Sequence, residues 1–85
     1  MEMIYNSSTF CVVEIHAEAL GPDRRAGFEI MDKASRREIY IDGALADRFR
    51  EEVAELAGDG DASIEDIDDY LATFQSLMQQ PMSVH

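Results

Sequence analysis

Three groupings in this chain hold residue types that do chemistry, and each has an ordinary structural reading beside it. Asp59, Asp61 and Ser63 stand at the first, third and fifth positions of a calcium-loop spacing. Such a loop needs glycine sixth and a bidentate glutamate twelfth. Ile64 and Tyr70 occupy those positions, so the segment reads as a polar connection between helices, with Ile64 spent in the core. Glu14 and His16 alternate onto one face of a strand and would hold a metal given a third ligand. Spacing supplies none, and a solvated strand end is expected there. Cys11 is the single cysteine and cannot form an internal disulfide. A reactive thiolate needs an accessible, electropositive setting, whereas Cys11 shares a strand face with Val13 and reads as a small core residue. The chain has no Ser-His-Asp ordering, glycine-rich phosphate loop or C-x-x-C. The expectation is a protein without catalytic residues, metal or cofactor.

Charge is the more informative signal. The net charge is −11, which favours solubility and repels nucleic acid and anionic membranes. Residues 1–23 hold four acids and no base, residues 24–50 hold all seven bases against five acids, and residues 51–85 hold nine acids with no Lys or Arg. Arg24, Arg25, Lys33, Arg36 and Arg37 gather on one loop and one hairpin. If these meet in space they form a basic spot that grips a phosphate or an acidic partner; otherwise they are solvated or paired with nearby acids. The acidic second half is a candidate surface for a basic partner, extending to mimicry of nucleic acid.

The elements that must position these groups follow from hydrophobic periodicity. Met3–Tyr5 reads as a short strand and Asn6–Thr9 as a turn. Phe10–Ile15 is aromatic and β-branched, with Cys11, Val13 and Ile15 on one face and Val12, Glu14 and His16 on the other. Residues 17–26 contain Gly21-Pro22-Asp23 and read as a surface loop. Phe28–Asp32 and Arg37–Ile41 are strands joined by the four-residue loop Lys33–Arg36. Phe28, Ile30, Ile39 and Ile41 should face the core, Glu29, Glu38 and Tyr40 should face away, and Glu29 is placed to pair with Arg36 or Arg37. The period then changes to that of a helix. Asp42 is a candidate N-cap, Leu45, Phe49, Val53 and Leu56 form an apolar stripe over 43–57, and Gly58 ends it as a C′ residue. Ser63 with Asp66 is a weak capping box opening a second helix. Its stripe is Ile64, Ile67, Leu71, Phe74 and Leu77 or Met78, and Pro81 follows its end.

Strands followed by helices give an α+β fold: an antiparallel sheet of three to four strands, then an antiparallel two-helix hairpin on one face. The 85 residues make one domain, 1–80, with a tail 81–85. A domain of this size buries only about 60–65% of its unfolded surface, which leaves little volume for a deep pocket. No stretch reaches the length of a membrane span, and the opening Met1-Glu2-Met3-Ile4 lacks a basic, apolar leader pattern. A cytoplasmic protein is expected.

The segments Met3-Ile4-Tyr5-Asn6-Ser7, Phe10-Cys11-Val12-Val13-Glu14, Gly27-Phe28-Glu29-Ile30, Arg36-Arg37-Glu38-Ile39, Ile41-Asp42-Gly43-Ala44-Leu45 and Ser76–Pro81, with a terminal His85, carry a resemblance that spans nearly the whole chain. The chain resembles a family of small acidic betaproteobacterial proteins classed as a domain of unknown function. The resemblance implies a bacterial cytoplasmic protein and transfers no activity and no functional residue. The expectation for function is therefore a small acidic protein-binding or regulatory module with an unknown protein partner, and an exposed strand edge also offers a route to a homodimer. The alternatives are a phosphate or small-anion binder using the arginine cluster, and a nucleic-acid mimic.

Overall fold

The computed structural model describes residues 2–16, 26–58 and 63–79. The Gly21-Pro22-Asp23 loop with Arg24 and Arg25, the 59–62 connection and the 81–85 tail lie outside the described residues. The order is β1 (Glu2–Asn6), β2 (Phe10–Ile15), β3 (Gly27–Asp32), β4 (Arg37–Asp42), α1 (Gly43–Gly58), α2 (Ile64–Ala72) and a 3-10 turn (Gln75–Leu77). The four strands form one antiparallel sheet in sequence order, and the fold is α+β.

Side chains alternate across a strand, so the β2–β3–β4 register decides which residues meet. Val12, Ile30 and Ile39 lie in one cross-strand row, and Phe28 lies beside Ile41 in another. Phe10, Val12, Phe28, Ile30 and Ile41 are buried in one cluster with Ala46 and Phe49 of α1, Leu71 of α2, and Phe74 and Met78 beyond it. Both helices therefore cover the same face of the sheet. Burying one such large side chain contributes about 1.5–3 kcal/mol.

The expected core faces hold in β3 and β4 and invert in β2. Cys11, Val13 and Ile15 stand opposite Met31, Glu29 and Gly27, on the face away from the helices. Cys11 is buried, but within the sheet's second face rather than in the main core. The reason is Phe10: the larger side chain, two residues before Val12, claims the helix side. The stripes also shift. Leu45 is 45% exposed and Ile64 61%, while Ala46 is buried; of the two residues expected to end the second stripe, Met78 is buried and Leu77 is 58% exposed. Gly58 is the last helical residue rather than a left-handed cap.

Two glycines carry conformational demands. Gly43 turns the end of β4 into α1 at a φ of 62°, a region that disfavours residues with a Cβ. Gly27 lies under Tyr40, and a Cβ built on it would stand 2.1 Å from the Ile41 carbonyl oxygen. At the start of α2 the capping box is complete: Ser63 Oγ accepts from Asp66 N, and Asp66 accepts from Ser63 N at 3.0 Å.

β1 holds the one irregularity of the sheet. Asn6 pairs with Cys11 and Tyr5 with Val12, but Met3 pairs with Val13 and Glu2 with Glu14. Ile4 is thus the extra residue of a β-bulge, and everything before it is moved by one place along β2.

Substitution should expose these differences. Phe49→Ala should cost about 3–5 kcal/mol and Gly27→Ala should destabilise by forcing β3 and β4 apart, whereas Ile64→Ala should stay within about 0.5 kcal/mol. Urea unfolding followed by circular dichroism measures all three.

Candidate functional site

The carboxylates divide into those that hold the fold together and those that do not. Asp68 of α2 accepts hydrogen bonds from Tyr5 Oη at 2.7 Å and Ser7 Oγ at 2.8 Å, tying the second helix to β1 and its turn. Burial raises the Tyr5 pKa, and the bond to Asp68 raises it further. Asp32 is buried at the end of β3. Its Oδ1 accepts from Ala34 N at 3.0 Å and Ser35 N at 3.3 Å, and its Oδ2 from Gln75 Nε2 at 3.0 Å. Burial alone would raise its pKa, but the donors of Ser35, Gln75 and Ala34 outweigh that and hold it below the ordinary value. One side chain thus closes the β3–β4 hairpin and docks the 3-10 turn.

Glu29 does not meet Arg36 or Arg37. Its register partner is Tyr40, and Arg37 stands opposite Asp32. Burial raises the Glu29 pKa, with the charge and hydrogen bond of Glu38 adding to it. The neighbouring Glu38 carboxylate on the second face of the sheet thus disfavours the charged form of Glu29. Glu52 of α1 bonds Tyr70 of α2 and Arg48, which lowers its pKa, and burial followed by the Glu52 bond raises that of Tyr70.

The expected basic patch is only partly assembled among the described residues. The Lys33 ammonium donates to Asn6 Oδ1 and to the Ser7 carbonyl at 2.6 Å, so its charge joins the β1–β2 turn to the β3–β4 hairpin. Arg36 and Arg37 are exposed. Arg36 is the last loop residue and has a φ of 58°, a left-handed conformation that costs a residue with a Cβ. Arg24 and Arg25 lie outside the described residues.

A third place gathers side chains that spacing did not. Glu14, near the end of β2, lies on the helix side of the sheet and accepts from Arg50 Nη2 at 2.7 Å. The Arg50 guanidinium also stacks 5.0 Å from the Phe28 ring centroid. The bulge sets Glu2 directly across from Glu14. His16 joins them, and the ligand atoms of Glu2, Glu14 and His16 all lie within 4.8 Å of one another. The Glu14–His16 half was legible from alternation. Glu2 was not: in an unbulged hairpin closing Asn6 on Cys11, Glu2 would face Ile15 and point the other way. Beside this corner, Ile4, Phe49, Val53, Ala54 and Ala57 line a groove of about 220 Å³ that Arg50 and Glu14 border.

Comparison with known proteins places this arrangement in a context. A family model described as "Protein of unknown function (DUF3567)" matches residues 1–85. Protein BTH_I0359 of Burkholderia thailandensis is 46% identical over 91 residues, with 100% of each chain covered. No solved structure matches.

Two pH effects follow. The folded pKa of Asp32 lies below its unfolded value, so its contribution to stability is full above about pH 4 and is lost as pH falls through the folded value. Asp32→Asn should flatten the acid limb of a stability–pH curve. Glu29 has the opposite sign: a raised folded pKa subtracts stability as pH rises past the unfolded value, so Glu29→Gln should raise the urea midpoint at neutral pH and leave it nearly unchanged near pH 4.

Proposed function

The chain belongs to the DUF3567 family of proteins of unknown function, and we propose that it is a non-enzymatic, cytoplasmic protein-binding module whose helical layer receives a basic segment of a partner protein. The observation that carries this reading is the outer acidic ridge of the helices. Asp47, Glu51 and Glu55 follow one another at four-residue spacing on α1, and Glu65 and Asp69 do so on α2; all five are exposed. Like charges at that spacing destabilise a helix by about 0.2–0.5 kcal/mol per pair. Among the described residues, Asp47 reaches only Arg50 at 4.0 Å, and Glu51, Glu55, Glu65 and Asp69 form no ion pair. α1 also lacks a basic residue in its last turn, where one would favour the helix dipole.

The cleft between the helices supports the same reading. Glu52, Glu55, Leu56 and Tyr70 line an open space of about 570 Å³. An apolar floor with carboxylate walls suits the stem and head of a lysine or arginine side chain. The net charge of −11 steers a cationic partner in and opposes close approach of a second copy. The non-enzymatic part rests on the perturbed groups: Tyr5, Glu29, Asp32, Glu52 and Tyr70 are held in bonds that join one element to another. Cytoplasmic placement rests on the buried free thiol of Cys11, which suits a reducing compartment. No helix among the described residues is long and apolar enough to cross a membrane.

Affinity capture from the native host tests the reading when wild type is compared with Glu51→Gln/Glu55→Gln/Glu65→Gln/Asp69→Asn. The expected result is a partner retained at low salt, released at high salt and lost by the quadruple variant, while Glu29→Gln retains it. Equal capture by wild type and the quadruple variant would sink the proposal. NMR shifts on partner binding confined to Lys33, Arg36 and Arg37 would do the same, and would favour the anion-binding alternative.

A further inference from the structure

We propose that Glu2, Glu14 and His16 form a binding site for a divalent transition-metal ion of the zinc or manganese class. This site is independent of the acidic ridges. Its three donors come from separate causes that converge. Strand alternation brings Glu14 and His16 to one corner of the sheet, and the bulge at Ile4 turns Glu2 onto the same corner. One oxygen of each carboxylate and a ring nitrogen of the imidazole all lie within 4.8 Å of one another. An ion at about 2.0–2.2 Å from each donor would draw them closer together.

Three further observations point to a cation rather than to a solvated strand end. First, carboxylates directly opposite across an antiparallel pair are destabilising, and Glu2 forms no ion pair among the described residues. A regular register would have separated Glu2 from Glu14; the bulged one sets them together. Second, the corner already attracts positive charge. Arg50 binds Glu14 through Oε2 at 2.7 Å, which pairs one carboxylate; Glu2 has no such partner among the described residues. Third, the donor set is selective. One imidazole nitrogen and two carboxylate oxygens suit zinc or manganese, with water completing the shell. Calcium, which takes six to eight oxygen ligands, is a poor match. Arg50 is then a positioning residue: it holds Glu14 by Oε2, as outer-shell partners of ligating carboxylates do.

The experiment uses tag-free full-length protein. Zn²⁺ is titrated calorimetrically, and Mn²⁺ is added at substoichiometric amounts while amide NMR signals are followed. The expected results are one Zn²⁺ per chain and Mn²⁺ broadening confined to residues around Glu2, Glu14 and His16. Glu2→Gln and His16→Ala should each weaken Zn²⁺ binding by at least about 10-fold, while Asp69→Asn leaves it unchanged. Glu2 is exposed and His16 half-buried, and equal thermal midpoints of the metal-free variants would show that the fold is intact. Undiminished Zn²⁺ binding in Glu2→Gln and His16→Ala would overturn the site. So would broadening centred on Glu51, Glu55, Glu65 and Asp69, or no binding at millimolar metal.

Discussion

Phe49 is the side chain on which the layers of this protein close. Its ring lies 4.9 Å from Phe28 of the sheet, 5.9 Å from Tyr70 of α2 and 5.8 Å from Phe74 just beyond α2. Tyr70 and Phe74 meet each other edge to face at 5.6 Å. Tilted and edge-on ring pairs each add about 0.5–1.5 kcal/mol beyond the area they bury. A domain this small has no second core to fall back on, so the orientation of both helices depends on a single aromatic contact set. Arg50, the next residue, extends that set outward by stacking on Phe28 while reaching Glu14. The packed interior and the charged corner are thereby fixed by neighbouring positions on one helix.

The polar residues complete what the rings begin. Asp68, Asp32 and Lys33 each bridge segments distant in sequence: α2 to β1, the 3-10 turn to the β3–β4 hairpin, and that hairpin to the β1–β2 turn. Buried or half-buried carboxylates with satisfied lone pairs specify one arrangement, because a misplaced element would leave a charge without donors. Asp47, Glu51, Glu55, Glu65 and Asp69 stay on the outside of the helices, where they add little to the fold and much to its field. That division helps so acidic a chain keep a compact structure: on the outer faces of the helices self-repulsion is screened by water, and Glu29 beside Glu38 is the half-buried exception.

What could be read from the sequence followed from local rules. The bounds of β2, the loop Lys33–Arg36, the extent of α1 and the Ser63–Asp66 cap all arise from neighbours within a few residues, and all appear as expected. The inward faces of β3 and β4 were equally plain, since their alternation is unambiguous. The failures share a cause. The face of β2 was ambiguous because Phe10, Cys11, Val12 and Val13 are four apolar residues in a row, and only competition for space beneath α1 decides between them. Ile64 sits on helical periodicity yet lies exposed, because the core is filled by Phe49, Leu71, Phe74 and Met78 before it is reached. Glu2 escaped notice because a bulge is a property of a strand pair, with no mark in either strand.

The bulge has a second consequence, for the borders of the sheet. An outer strand with an unbroken row of amide and carbonyl groups is a template on which another chain can add. At one border, the extra residue in β1 breaks that row and increases the local twist. At the other, the Gln79 backbone exchanges both hydrogen bonds with Glu38 of β4, at 2.9 and 3.0 Å, and covers the start of the edge. Both margins are thus interrupted by backbone devices rather than by proline or a closed barrel. Growth of the sheet into fibrils is discouraged from either side, and contacts with other molecules are left to side chains, whose charge sets which molecules come near.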